Sequence, residues 1–148
     1  MSNNTVHLHR VIATSTEKIY RAFLEAEALT RWLPPNGFTG RIDQFDAKVG
    51  GGYTMSFTNF TTGRRHSFRS EYIELVPKTL IRYNTRFDDL NLPGEMCVTV
   101  TLKQVLVGTE MLVTQSGIPE VIPVEACYLG WQESLRNLQR LVEPEINQ

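Results

Sequence analysis

Apolar and polar positions along this chain change period three times. From Val6 to Ile12 (VHLHRVI) they alternate, which predicts a strand with Val6, Leu8 and Arg10 on one side and His7, His9 and Val11 on the other. In the next stretch the period lengthens to that of a helix: Ile19, Tyr20, Phe23 and Leu24 form an apolar stripe, and Glu17 and Arg21 sit one turn apart on the wet face. Thr14 and Glu17 have the spacing of a capping box, so this helix is expected to start at Thr14. A second short helix is predicted from about Glu27 to Trp32. It must end at Pro34-Pro35-Asn36-Gly37, where the prolines supply no backbone donors and Asn-Gly favours a turn.

From Phe38 to Ser116 the chain reads as strands. FTGRIDQF, YTMSFTNF, HSFRSEYIELV, LIRYNTRF, EMCVTVTLKQV and TEMLVTQS are rich in β-branched and aromatic residues and are bounded by turn signals such as Val49-Gly50-Gly51-Gly52, Thr62-Gly63 and Pro93-Gly94. Such short connections predict an antiparallel meander. In the third and fourth of these runs the apolar residues do not all share a face. In the others the inward sets are Tyr53, Met55 and Phe57; Met96, Val98, Val100 and Leu102; and Met111 with Val113, while Thr54, Ser56, Thr99 and Thr101 are expected to face solvent.

The closing segment supplies a cover for that one apolar face. Pro123 suits a first helical turn, and Cys127, Trp131, Leu135, Leu138 and Val142 then make a single stripe, with Glu133, Arg136, Asn137 and Arg140 lying away from it. Pro144 forbids continuation. The order predicts an α+β, helix-grip fold: a curved antiparallel β-sheet wrapped around a long C-terminal α-helix, with two short helices after the first strand. Gly130 stands out because glycine costs about 1 kcal/mol against alanine inside a helix. Close packing of the helix on the sheet and room left for a ligand by the absent side chain are the two readings, and both can hold together.

Length and composition change this picture little. The 148 residues suit one domain over 1–148, with its core at about 6–143, and 41% hydrophobic with 21% charged residues is ordinary for a globular protein. A net charge of -1 and the lack of a basic run give no footprint for nucleic acid or an anionic membrane. No apolar run is long enough to span a bilayer, and the start of the chain lacks the apolar core of a signal peptide. Cys97 and Cys127 have neither metal-ligand nor redox spacing, so reduced thiols and a cytoplasmic location are expected.

Four stretches then resemble one family, the activator of Hsp90 ATPase homologue 1-like proteins, a branch of the START-like, Bet v 1-like (SRPBCC) superfamily. Ser15 to Trp32 is similar to its opening, a short helix followed by Leu29, a spacer and Trp32. Asp46-Ala47-Lys48-Val49-Gly50-Gly51 resembles its Asp-x-Arg-x-Gly-Gly turn, with lysine at 48. Val98 to Leu102 with Gly108-Thr109 resembles its penultimate hairpin, and Gly130-Trp131 with Leu135, Leu138 and Leu141 its closing helix. Leu33 and Pro34 depart from a tryptophan and a glycine common in the family. The resemblance implies a cavity between the sheet and the long helix. It does not imply stimulation of Hsp90, since this chain has no room for the activator's separate docking domain.

The candidate ligand-binding residues are Trp32, Tyr53, Met55, Phe57, Tyr83, Met96, Val98, Met111, Cys127, Gly130 and Trp131, an aromatic and methionine-rich set suited to an apolar occupant. Phe23, Tyr72 and Phe87 belong with them or with the core. His66, placed by alternation with Phe68 and Tyr72, and Glu110 are the candidates for a catalytic acid or base, which would need a dry pocket. Arg69 and Glu71 fall on the opposite face; Arg82, and with it Arg69, could pair a ligand carboxylate, but a solvated face or a salt bridge to a neighbouring strand explains them better. His7 and His9 lack a third ligand, so no metal is expected, and no cofactor motif is present. Val49-Gly50-Gly51-Gly52 precedes no helix and is a turn. The expected function is binding of a small apolar or lipid-like molecule. The alternatives are a START-like cyclase, hydrolase or lyase, and a chaperone-associated interaction module. A homodimer is compatible with the fold class.

Overall fold

A computed structural model describes residues 4–148; residues 1–3, assigned above to the same domain, lie outside the described residues. The elements run β1 (Val6–Ile12), α1 (Thr16–Leu24), α2 (Ala26–Trp32), β2 (Phe38–Phe45), β3 (Gly52–Asn59), β4 (Arg65–Val76), β5 (Leu80–Phe87), β6 (Met96–Val105), β7 (Gly108–Ser116) and α3 (Val124–Val142). All seven strands pair antiparallel in the order β1-β7-β6-β5-β4-β3-β2. The curved sheet grips α3, as the hydrophobic pattern predicts.

The start of α1 differs from the expected capping box. Ser15, not Thr14, caps the helix, its hydroxyl accepting the Lys18 N–H at 3.2 Å. Thr14 is held by the sheet instead: its carbonyl accepts from the Thr109 hydroxyl at 2.8 Å. That contact places it outside the helix, so the cap falls one residue later. Arg21 pairs with Glu25 at 2.9 Å, one turn on. Pro123 likewise stands at the cap position of α3 with an extended ψ of 133°, one residue before the first turn.

A β-bulge between Tyr72 and Glu74 explains the mixed pattern of β4. The extra residue, Ile73, resets the alternation, so that Phe68, Ser70 and Tyr72 point inward before it and Leu75 faces the buried Ile81 after it. Ser56 is buried rather than solvent-facing, because a hydrogen bond to Ser67 at 2.9 Å draws the two hydroxyls together across β3 and β4.

The stripe on α3 packs as expected: Trp131, Leu135, Leu138 and Val142 are buried and Cys127 is half-buried. Two residues expected to lie on the wet face instead tie the helix to the loop after α2. Glu133 accepts from the Asn36 N–H at 3.1 Å, and Asn137 donates to the Pro34 carbonyl at 3.2 Å. Ser134 donates to the Leu33 carbonyl at 2.5 Å, and Arg10 reaches across from β1 to Gln132 and Gln139. These bonds fix the height of α3 above the sheet, and so the space beneath it.

Candidate functional site

Under the first half of α3 the sheet and helix do not close completely. They leave a cavity of about 190 Å³. Tyr53 and Phe57 of β3, Phe68 of β4, and Tyr83, Thr85 and Phe87 of β5 form one side. Met96 and Val98 of β6 and Gln115 of β7 form the floor. Cys127, Gly130, Trp131 and Ser134 of α3 form the roof, with Leu33 and Pro35 at one end. The aromatic rings support one another edge to face, Phe57 on Phe68 at 5.1 Å and Tyr72 on Tyr83 at 6.3 Å.

Strand register sets the order of these side chains. Tyr72 lies opposite Tyr83, Tyr83 opposite Val98, and Val98 opposite Gln115, so the four stand in one row across β4 to β7. Tyr72 is committed to the fold, its hydroxyl donating to the Phe23 carbonyl at 2.9 Å. Gln115 is oriented from above. The Trp131 indole can only donate, and it does so to the Gln115 amide oxygen at 2.9 Å, which turns the amide nitrogen toward Met96 Sδ at 3.3 Å. Thr85 shares a hydrogen bond with Ser70 at 2.9 Å. The Tyr83 hydroxyl has no hydrogen-bond partner among the described residues, although the side chain is only 5% exposed.

Burial determines the charge state of this lining. It pushes the Tyr53 phenol up to about 12, against a smaller opposing hydrogen bond from Ser70, and raises Tyr83 well above the ordinary phenol value. It also raises the Cys127 thiol. Among the described residues no carboxylate, imidazole, ammonium or guanidinium lines the space. Near neutral pH the lining is therefore uncharged.

Gly130 resolves the choice left open by the sequence. A Cβ built there would meet nothing within 4 Å, so the missing side chain opens onto space and does not serve close packing. Close packing is instead the role of Gly40, where a Cβ would lie 2.6 Å from Pro34 Cγ.

Eight of the candidate residues line the cavity: Tyr53, Phe57, Tyr83, Met96, Val98, Cys127, Gly130 and Trp131. Three do not. Trp32 is wholly buried between α1 and α2, edge-on to Phe23 at 4.7 Å with its indole N–H on the Ala22 carbonyl at 2.9 Å. Met55 and Met111 are also wholly buried, Met55 with its methyl toward Gly40 under the α2–β2 loop. His66 is exposed: it shares the inward parity of Phe68 but lies past the covered part of the sheet, beside the β3–β4 turn. Glu110 is on the outer face, 2.8 Å from His9. Neither therefore stands in a dry pocket. Arg82 pairs with Glu74 on the adjacent strand at 2.8 Å, and no group of three metal-ligating side chains forms among the described residues.

Among the lining residues that sequence reasoning passed over, Phe68 shares the parity of Tyr72 and Thr85 that of Tyr83, and two more carried a readable signal. Gln115 has the parity of Met111 and Val113, and Ser134 lies three residues after Trp131 on the same helical face. Leu33 and Pro35 had none, since the path of a loop over the sheet has no periodicity.

Comparison with known proteins places this geometry. The family described as "Activator of Hsp90 ATPase homolog 1-like protein" matches residues 13–143. A solved structure from Chromobacterium violaceum is 51% identical, with a TM-score of 0.94 over 96% of this chain and 99% of that one. A second, from Rhodobacter sphaeroides, is 23% identical with a TM-score of 0.81 over 93% and 90% of the two chains. The protein from Silicibacter pomeroyi that carries the family's name has 18% identity and a TM-score of 0.79 over 93% and 96%, and shows the common fold alone. No curated protein matches the chain. Among the described residues no helix is long and apolar enough to cross a membrane.

Proposed function

This chain belongs to the activator of Hsp90 ATPase homolog 1-like family, and on that premise we propose that it binds a small, predominantly apolar molecule in the cavity between its sheet and α3. The observation that carries this reading is the open space beneath Gly130, roofed by a helix that hydrogen bonds hold at a fixed height. An apolar cavity of about 150 Å³ accepts a benzene ring, so 190 Å³ accommodates one ring with a short substituent. Sites for larger ligands run from about 300 Å³ upward, so a long acyl chain would have to displace lining side chains. The proposed occupant is thus ring-sized rather than lipid-sized.

The test is native mass spectrometry of the purified protein, followed by thermal melting with isopropylbenzene as probe. A retained small molecule, or a saturable rise in melting temperature, is the expected result, because a ligand that binds only the folded state stabilises it. An empty protein whose melting temperature does not respond to the probe contradicts the reading.

A further inference from the structure

The hydroxyl of Tyr83 makes no hydrogen bond that ties it to the fold among the described residues. Its row neighbour Tyr72 spends its hydroxyl on the Phe23 carbonyl, Thr85 on the same strand shares one with Ser70, and Ser134 caps the Leu33 carbonyl. Tyr83 has none among the described residues, yet its side chain is 5% exposed and lines the cavity. No side-chain oxygen or nitrogen among the described residues is both sealed from solvent and without a partner, so this oxygen borders open space. A phenylalanine would fill the same volume without the cost of desolvating a hydroxyl.

The groups around it lean toward donation. Val98 stands between Tyr83 and Gln115 in the register row, so the two polar side chains flank a small apolar floor, about 10 Å apart at their backbones. The Gln115 oxygen is engaged by Trp131. Its nitrogen keeps a second N–H beyond the Met96 contact, and the Cys127 thiol is a weak donor. Among the described residues the lining holds no cation to pair an anionic ligand and no anion to pair an ammonium group.

Resting on the cavity reading above, we propose that Tyr83 is a specificity-determining anchor, and that the ligand class is an uncharged, ring-sized molecule bearing a hydrogen-bond acceptor, a carbonyl oxygen or ring nitrogen, that receives the Tyr83 hydroxyl over Val98. Burial raises the Tyr83 phenol, which keeps it a donor at any ordinary pH.

The test compares three probes of matched shape by calorimetric titration: acetophenone, isopropylbenzene and benzoate. The unmodified protein is expected to prefer acetophenone over isopropylbenzene by about three- to tenfold, the worth of one hydrogen bond, and to reject benzoate. Tyr83→Phe should erase the preference, bringing the acetophenone and isopropylbenzene affinities together. The ligand-free variant should melt no lower than the parent, since no internal hydrogen bond is lost. Equal affinity for acetophenone and isopropylbenzene, a preference that survives Tyr83→Phe, or benzoate binding as tightly as acetophenone would overturn the anchor while leaving the cavity reading intact. If none of the three binds, the cavity reading falls and the anchor falls with it.

Discussion

A Cβ added at Gly40 would lie 2.6 Å from Pro34 Cγ and 3.0 Å from Met55 Cε, whereas one added at Gly130 would meet open space. Gly40→Ala therefore has to push the rigid proline ring off β2, and should cost about 1–3 kcal/mol in a urea titration. Gly130→Ala should stabilise the protein by up to about 1 kcal/mol, the difference in helix propensity, because nothing opposes it. The two tyrosines facing each other on β4 and β5 form a similar pair. Tyr72→Phe removes a buried hydrogen bond to the Phe23 carbonyl and should cost about 1–2 kcal/mol in the same assay. The sequence marks Gly130 and both tyrosines but passes over Gly40, and it does not separate the roles of the tyrosines. Which one meets open space depends on atoms of other elements.

At the scale of the element, α1 tests the assignment of its cap. Ser15→Ala removes the acceptor of the Lys18 N–H and should cost about 1 kcal/mol by chemical denaturation. Thr14→Ala keeps the backbone carbonyl that receives Thr109, so its effect should stay within about 0.5 kcal/mol. A capping box at Thr14 would give the reverse order. Beyond β1, which runs into Ala13 and Thr14, the strands are separable in the sequence because a glycine or proline stands in or beside each connection. The cap is not legible there, since Ser15 and Thr14 are both good capping residues and a contact from β7, distant in the chain, decides between them. The bulge at Ile73 was visible only as a break in alternation, without its cause.

Across the whole molecule, three buried phenols couple stability to alkaline pH. Burial raises Tyr53 to about 12, and raises Tyr72 and Tyr83 in the same direction, from an ordinary value of 10.0. The native state then holds its phenol protons after the unfolded chain has begun to release them. The stability this confers is complete below pH 10 and is lost as pH rises toward the folded values, at about 1.4 kcal/mol per pH unit for each phenol. Loss of circular dichroism should therefore coincide with the appearance of the last three of the five tyrosinates, between pH 10 and about 12. Tyr20 and Tyr128 lie outside the buried set, so more than two of the five tyrosinates appearing while the fold signal persists would contradict a buried lining. The row Tyr72, Tyr83, Val98 and Gln115 exists only at this scale. Its members lie on four strands, and their alignment depends on turn lengths and the bulge in β4, which alternation within a strand does not encode. The resemblance carried by the sequence thus implies a cavity beneath α3, and the hydrophobic pattern names much of its wall, while the row that sets Tyr83 and Gln115 on either side of Val98 emerges only from register. The central claim, that this space receives a small apolar molecule, is tested most directly by amide chemical-shift mapping during titration with isopropylbenzene, on the parent and on Gly130→Leu. Saturable shifts clustered at Tyr83, Val98, Gly130 and Trp131, abolished in a Gly130→Leu variant that remains folded, are the predicted result. Shifts that do not saturate, that fall elsewhere, or that persist once leucine occupies the space would contradict it.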